Sequence, residues 1–126
     1  MNRKVLLSGY KSDENIVGAS IVKYCLWYCL SGLLFESKWF HFIKIKIWLL
    51  RQFGAVIGLN CVVKPNVKIK YPWKFSLGDC SWIGEGVWID NVYPVKIGSN
   101  VCVFQGAKII SGNHSWTDQN FVCCPI

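Results

Sequence analysis

The sequence predicts an all-β solenoid of about three coils, preceded by a helical arm. Three observations carry this. Residues 57–116 fall into three lines of twenty, IGLNCVVKPNVKIKYPWKFS, LGDCSWIGEGVWIDNVYPVK and IGSNVCVFQGAKIISGNHSW, and each line has an aliphatic at its first, seventh and thirteenth place. The nine are Ile57, Val63, Ile69, Leu77, Ile83, Ile89, Ile97, Val103 and Ile109. A period of six fits neither a helix nor a plain strand. It fits a chain that turns a corner every six residues and points one aliphatic inward from each side, a three-sided parallel β-helix. Next, three residues after each aliphatic, six of nine positions are Asn or Gly (Asn60, Asn66, Gly86, Asn100, Gly106, Gly112), which tolerate the left-handed backbone of a tight corner. Finally, the third side of every line carries two extra residues before the next line begins, so something is built on that edge.

The arm, residues 1–56, comes first in the chain. It holds eight of the fourteen Lys and Arg against three acids, so most of the formal net charge of +7 belongs to it. Met1 to Asn15 is polar and reads as a loosely ordered end. Ile16 to Phe35 is apolar apart from Lys23 and Ser, Gly and Tyr, long enough in principle to cross a bilayer. It is a poor signal peptide, because Lys23 interrupts the run and no small-residue cleavage site follows. Ser37 to Phe53 mixes Trp39, Phe42, Ile45 and Trp48 with Lys38, Lys44, Lys46 and Arg51. That mixture suits a basic helix at a membrane surface. It equally suits helices that cap the open end of the first coil, which a solenoid needs, and the two readings can coexist.

In the coils, Cys61, Cys80 and Cys102 are expected as small packing residues. Seven cysteines without regular spacing, two of them adjacent, point to a reduced, cytoplasmic protein. No metal site is expected, since there is no Cys-x-x-Cys pair and His41 lies far from His114 in sequence. Residues 117–126 read as a loop and the end of the solenoid domain, with a third coil that has no evident cap.

These hexads resemble those of the hexapeptide-repeat acyltransferases, closest to sugar O-acetyltransferases of the colanic-acid-biosynthesis and maltose/nodulation type. The resemblance rests on Phe53-Gly54-Ala55 leading into Ile57-Gly58, on Tyr71-Pro72-Trp73, on Ile83-Gly84-Glu85 and on Ser111-Gly112-Asn113-His114, and it spans roughly residues 20–126. It implies a left-handed coil, where crossover rules alone would give a right-handed one. It also implies acetyl-CoA as co-substrate, a sugar or polysaccharide acceptor, and a homotrimer with its cleft between neighbouring solenoids. Family chains continue into further hexads, so the resemblance makes this chain look C-terminally truncated.

Acetylating a hydroxyl needs a base, and imidazole titrates near neutral pH. His41 stands in the arm; His114 stands on the third side of the third coil, on the edge with the surplus residues. The family's catalytic histidine occupies that place, so the resemblance assigns the base to His114. Asn113, Asp118 and Asn91 are candidates to orient its ring, and Asn91, Tyr93, Asn113 and Trp116 to bind substrate; Trp88, Tyr93 and Trp116 could form a sugar-stacking platform. Maltose-type enzymes use an asparagine from the preceding coil where this chain has Gly84. No residue is assigned to the coenzyme. The alternative is an inactive remnant or a non-catalytic assembly subunit. A γ-class carbonic anhydrase would need three histidines where the repeats hold one. Nucleic-acid binding is not expected, because the basic residues sit among long apolar side chains.

Overall fold

The structure, a computed structural model, describes residues 7–10, 14–39, 41–114 and 123–126. Its centre is three parallel three-stranded sheets, in which every strand pairs with the strand twenty residues on. The first holds β1 (Val56–Ile57), β4 (Phe75–Leu77) and β7 (Val95–Ile97). The second holds β2 (Val62–Val63), β5 (Trp82–Ile83) and β8 (Cys102–Val103). The third holds β3 (Lys68–Ile69), β6 (Trp88–Asp90) and β9 (Lys108–Ile110). The register is the one the spacing predicts. Ile57 pairs with Leu77 and Leu77 with Ile97. Val63, Ile83 and Val103 follow one another in the same way, as do Ile69, Ile89 and Ile109. The chain thus visits the three sheets in turn, three times, in a β-helix-like arrangement of three repeats.

The three columns are the core. In repeats 1 and 2 all six aliphatics are buried, whereas Ile97, Val103 and Ile109 of repeat 3 are half-buried. Each fully buried aliphatic contributes about 1.5–3 kcal/mol, so repeat 3 holds the least of this energy.

Two of the three corners turn through a left-handed residue in every repeat. Asn60, Cys80 and Asn100 do so at the first corner, and Asn66, Gly86 and Gly106 at the second, with φ from 55° to 73°. Cys80 therefore occupies a corner and is exposed, and Cys102 points outward from β8; of the three hexad cysteines only Cys61 is buried. Gly112, expected as a third-corner turn, instead opens strand β10 (Gly112–His114), which pairs antiparallel with β11 (Cys123–Pro125).

The third corner uses side chains in place of the left-handed turn. Asn91, fully buried, accepts from the Tyr71 N–H at 2.9 Å and donates to the Tyr71 carbonyl at 2.7 Å. One repeat later Ser111 Oγ accepts from the Tyr93 N–H at 3.0 Å and donates to the Tyr93 carbonyl at 2.8 Å. Tyr71, Asn91 and Ser111 are each twenty residues apart, a polar column that binds repeat to repeat.

The arm lies on repeat 1. Helix α1 (Ile21–Leu30) begins at Ser20, whose hydroxyl caps the Lys23 N–H, and runs into a π-helical turn, Ser31–Phe35. Helix α2 spans Ile43–Gln52, shorter than the segment from Ser37 that the sequence suggests. Among the described residues no helix is long and apolar enough to cross a membrane. The inward side of α2 buries Lys46, Ile47, Leu49 and Leu50, and α1 buries Trp27. One carbonyl on each face of repeat 1 takes a donor from the arm: Arg51 reaches Ile57 O at 2.9 Å, Trp27 Nε1 reaches Ile69 O at 2.8 Å, and Lys46 Nζ lies 3.5 Å from Lys64 O. Side chains thus stand where another strand would otherwise pair. Burial lowers the pKa of Lys46.

Candidate functional site

The surplus at the third corner forms an edge along which the arm and the end of repeat 3 meet. In repeat 1 the extra residues form a short turn, Pro72–Lys74. Trp73 donates its indole N–H to Val17 O at 2.6 Å, and the Lys74 ammonium donates to Ile16 O and, at 2.7 Å, to Val92 O. Tyr71 stacks on Trp73 at 5.3 Å, with Tyr24 of α1 on its other flank at 6.0 Å. This lysine- and aromatic-rich seam fastens residues 16–18 and α1 to the corner. Gly18 and Gly54 are left-handed and lie close to Lys74 and Trp73, where a side chain would crowd them.

His114 ends β10 at the same edge and is half-buried. It lines a cavity of about 430 Å³ together with Tyr10, Lys70, Tyr71, Asp90, Val92 and Cys123. The Tyr10 ring meets the imidazole edge-on, with centroids 5.6 Å apart. Across the cavity Lys70 and Asp90 pair at 3.0 Å. Burial pulls the Lys70 ammonium down, but the hydrogen bond and charge of Asp90 more than offset it, and its pKa stands above the ordinary lysine value. Burial raises the Tyr71 phenol. An imidazole at the mouth of a pocket that holds an aromatic ring and a fixed ion pair can exchange a proton with a bound hydroxyl.

The sequence-named residues separate here. His114 lines the cavity. Asn113 is exposed and its Oδ1 accepts the His114 main-chain N–H at 2.8 Å, so it shapes the backbone beside the imidazole. Asn91 is fully buried, and its amide oxygen and nitrogen are both bonded to the Tyr71 main chain, a structural role at the corner. Tyr93 donates its hydroxyl to Cys123 O at 3.1 Å, holding β11 in place, and is not among the cavity's lining residues. Trp88 lines a second cavity, of about 230 Å³, between α1 and the third sheet, with Tyr24, Tyr28 and Glu36; Lys70 and Asp90 form walls of both. Trp116 and Asp118 lie outside the described residues. Gly84 has a physical reason for being glycine: a Cβ there would meet Gln105 N at 2.6 Å and Val103 O at 2.8 Å, so the neighbouring repeat leaves an asparagine no room. Among the described residues no cluster of His, Cys, Asp or Glu could hold a metal ion.

Sequence reading missed Tyr10, which comes from the arm and carries no signal. It also missed the Lys70–Asp90 pair, for which a signal existed: opposite charges twenty residues apart stack in adjacent repeats.

The chain is 34% identical over 115 residues, 91% of its length, to a protein of Escherichia coli K12 provisionally named colanic acid biosynthesis acetyltransferase WcaF, and equally to the protein of the same name from Shigella flexneri. Over most of its own length the chain is thus similar to proteins named as acetyltransferases. It spans 63% of the length of these curated relatives. No family model matches the sequence, and no solved structure matches it.

Proposed function

We propose that the chain is an O-acetyltransferase that moves an acetyl group from acetyl-CoA to a hydroxyl of a sugar or exopolysaccharide precursor, with His114 as general base. The observation that carries this is the placement of His114 on the cavity at the corner where each repeat holds its surplus residues, in a chain so similar to proteins named acetyltransferases. The β-helix-like register supports a closed three-sided solenoid as the scaffold, and the family resemblance makes its hand left. In the transfer, the hydroxyl oxygen bonds to the thioester carbonyl carbon, the carbon–sulfur bond breaks, and the proton passes from the hydroxyl to His114 and on to the departing thiolate. Asn113 fixes the main chain that presents the imidazole. Tyr10 packs against the ring's edge and restrains its rotation. The Lys70–Asp90 pair offers a cation and a carboxylate to sugar hydroxyls. The working form is a homotrimer in the cytoplasm, in which His114 faces a neighbouring protomer; the exposed Trp82 and Phe104 are apolar surface suited to such packing.

The test is release of CoA from acetyl-CoA in the presence of an exopolysaccharide oligosaccharide, followed chromatographically, in the parent and in His114→Ala and His114→Gln. Both variants are expected to lose transfer by at least the 10²–10⁴-fold typical of a lost general base, with unchanged circular dichroism. A folded His114→Ala protein with parental turnover overturns the base assignment.

A further inference from the structure

The arm has two faces, and the repeats use only one. The inward side of α2 lies on repeat 1, so what its other side exposes is not surface left over from an open solenoid end. That outer side carries Lys44, Ile45 and Trp48, neighbouring positions on the helix surface. Trp48 is 59% exposed, and Trp39, just before the helix, 91%. On α1 the outward residues include Val22, 64% exposed, Leu26 and Cys29, and outward Leu33 follows in the π-helical turn. The α1 face carries no charge, while the α2 face carries basic residues among aromatics.

We propose that these outer faces dock on an anionic phospholipid surface, with Val22, Leu26 and Leu33 in the headgroup–acyl boundary, Trp39 and Trp48 at headgroup level, and Lys38 and Lys44 on lipid phosphates. Charge complementarity selects this occupant. Between residues 16 and 53 Glu36 is the one acid, whereas Lys38 and Lys44 stand exposed beside the aromatics. A second copy laid on the same face would bring lysines against lysines, which is repulsive, whereas an anionic bilayer attracts them. Large apolar side chains with Trp at the margin and cations beside them match an interfacial segment. The helices of the described residues are too short to span, so the arm lies along the surface. The docking residues are thus ones that the repeats do not bury, and the inference stands apart from the acetyl-transfer reading.

The test is flotation of the full chain with vesicles of phosphatidylglycerol and phosphatidylcholine, and with phosphatidylcholine alone. The protein is expected to float with the anionic vesicles and far less with the neutral ones. Lys38→Gln and Lys44→Gln should each weaken partitioning about fivefold, added salt should weaken it further, and Leu26→Glu should abolish it, all with unchanged thermal melting because these residues are exposed. The proposal is overturned by absence from both vesicle fractions, by equal flotation with neutral and anionic vesicles, or by a Leu26→Glu protein that still floats. An oligomer in light scattering that Leu26→Glu dissociates, without flotation of the parent, would assign the face to a second copy instead.

Discussion

Replacing Asn91 with alanine separates a structural from a catalytic role at the third corner. The side chain is fully buried, and its two amide atoms make 2.7 and 2.9 Å bonds to the carbonyl and N–H of Tyr71. Truncation leaves both main-chain groups without these partners at a site too enclosed for easy hydration. Each such group costs about 1–3 kcal/mol, so the expected loss is about 2–6 kcal/mol. Against the 5–15 kcal/mol typical of a domain, that removes a large part of the stability. Urea denaturation followed by circular dichroism reads it as a lower midpoint at unchanged slope. Asn91→Asp retains an acceptor for the Tyr71 N–H but sets an oxygen against the Tyr71 carbonyl. It should be as damaging at neutral pH and partly recover in acid, where a protonated carboxyl can donate. A loss under about 1 kcal/mol in Asn91→Ala, joined to loss of acetyl transfer, would refute this reasoning and return Asn91 to the site.

Further outcomes follow from the same contacts. Gly84→Asn is expected to lower the melting temperature and not to raise turnover, because its Cβ would meet Gln105 N at 2.6 Å. Trp27→Phe keeps the ring in its pocket but strips the donor from Ile69 O, and should cost about 1–3 kcal/mol by denaturant titration. Lys46, whose folded pKa lies below the 10.5 of a free lysine, binds fewer protons folded than unfolded in that interval. Its contribution to stability therefore rises with pH there, and Lys46→Met should flatten that rise in melting temperature. Lys70 and Tyr71 act oppositely: both pKa values are raised, so their contributions are intact at neutral pH and fall away above about pH 10, as the free groups lose protons that the folded ones hold.

The repeats were legible because a solenoid writes its core as a local period. Each of the nine aliphatics needs only its neighbour twenty residues away to be placed, and the residue types at two corners follow from left-handed backbone. Where a corner is turned by hydrogen-bonded side chains, residue type misleads. Asn91 reads as a group that orients the imidazole or binds substrate and is fully buried, and Gly112 reads as a turn and opens a strand. At the first corner Cys80 reads as packing and is the left-handed residue. The site was half legible. His114 was singled out by the resemblance, and it does line the cavity, while Tyr10 reaches the cavity from the arm, which leaves no period in the sequence.

The third corner explains why the site stands there. The other two corners are bound to a fixed length: a left-handed residue sits at the same place in every repeat, and the strands on either side keep the twenty-residue register. At the third, Asn91 binds the Tyr71 main chain and Ser111 that of Tyr93, so the corner is held by side chains and the backbone beyond it needs no fixed left-handed residue. That freedom is used differently each time, for the Pro72–Lys74 turn that receives the arm, for Tyr93 that holds β11, and for the strand that presents His114. The inward columns remain aligned through all three. A reactive side chain can thus be built on this edge without disturbing the core, provided that Asn91 and Ser111 hold the corner together, which is why disrupting Asn91 should cost stability and disrupting His114 should not.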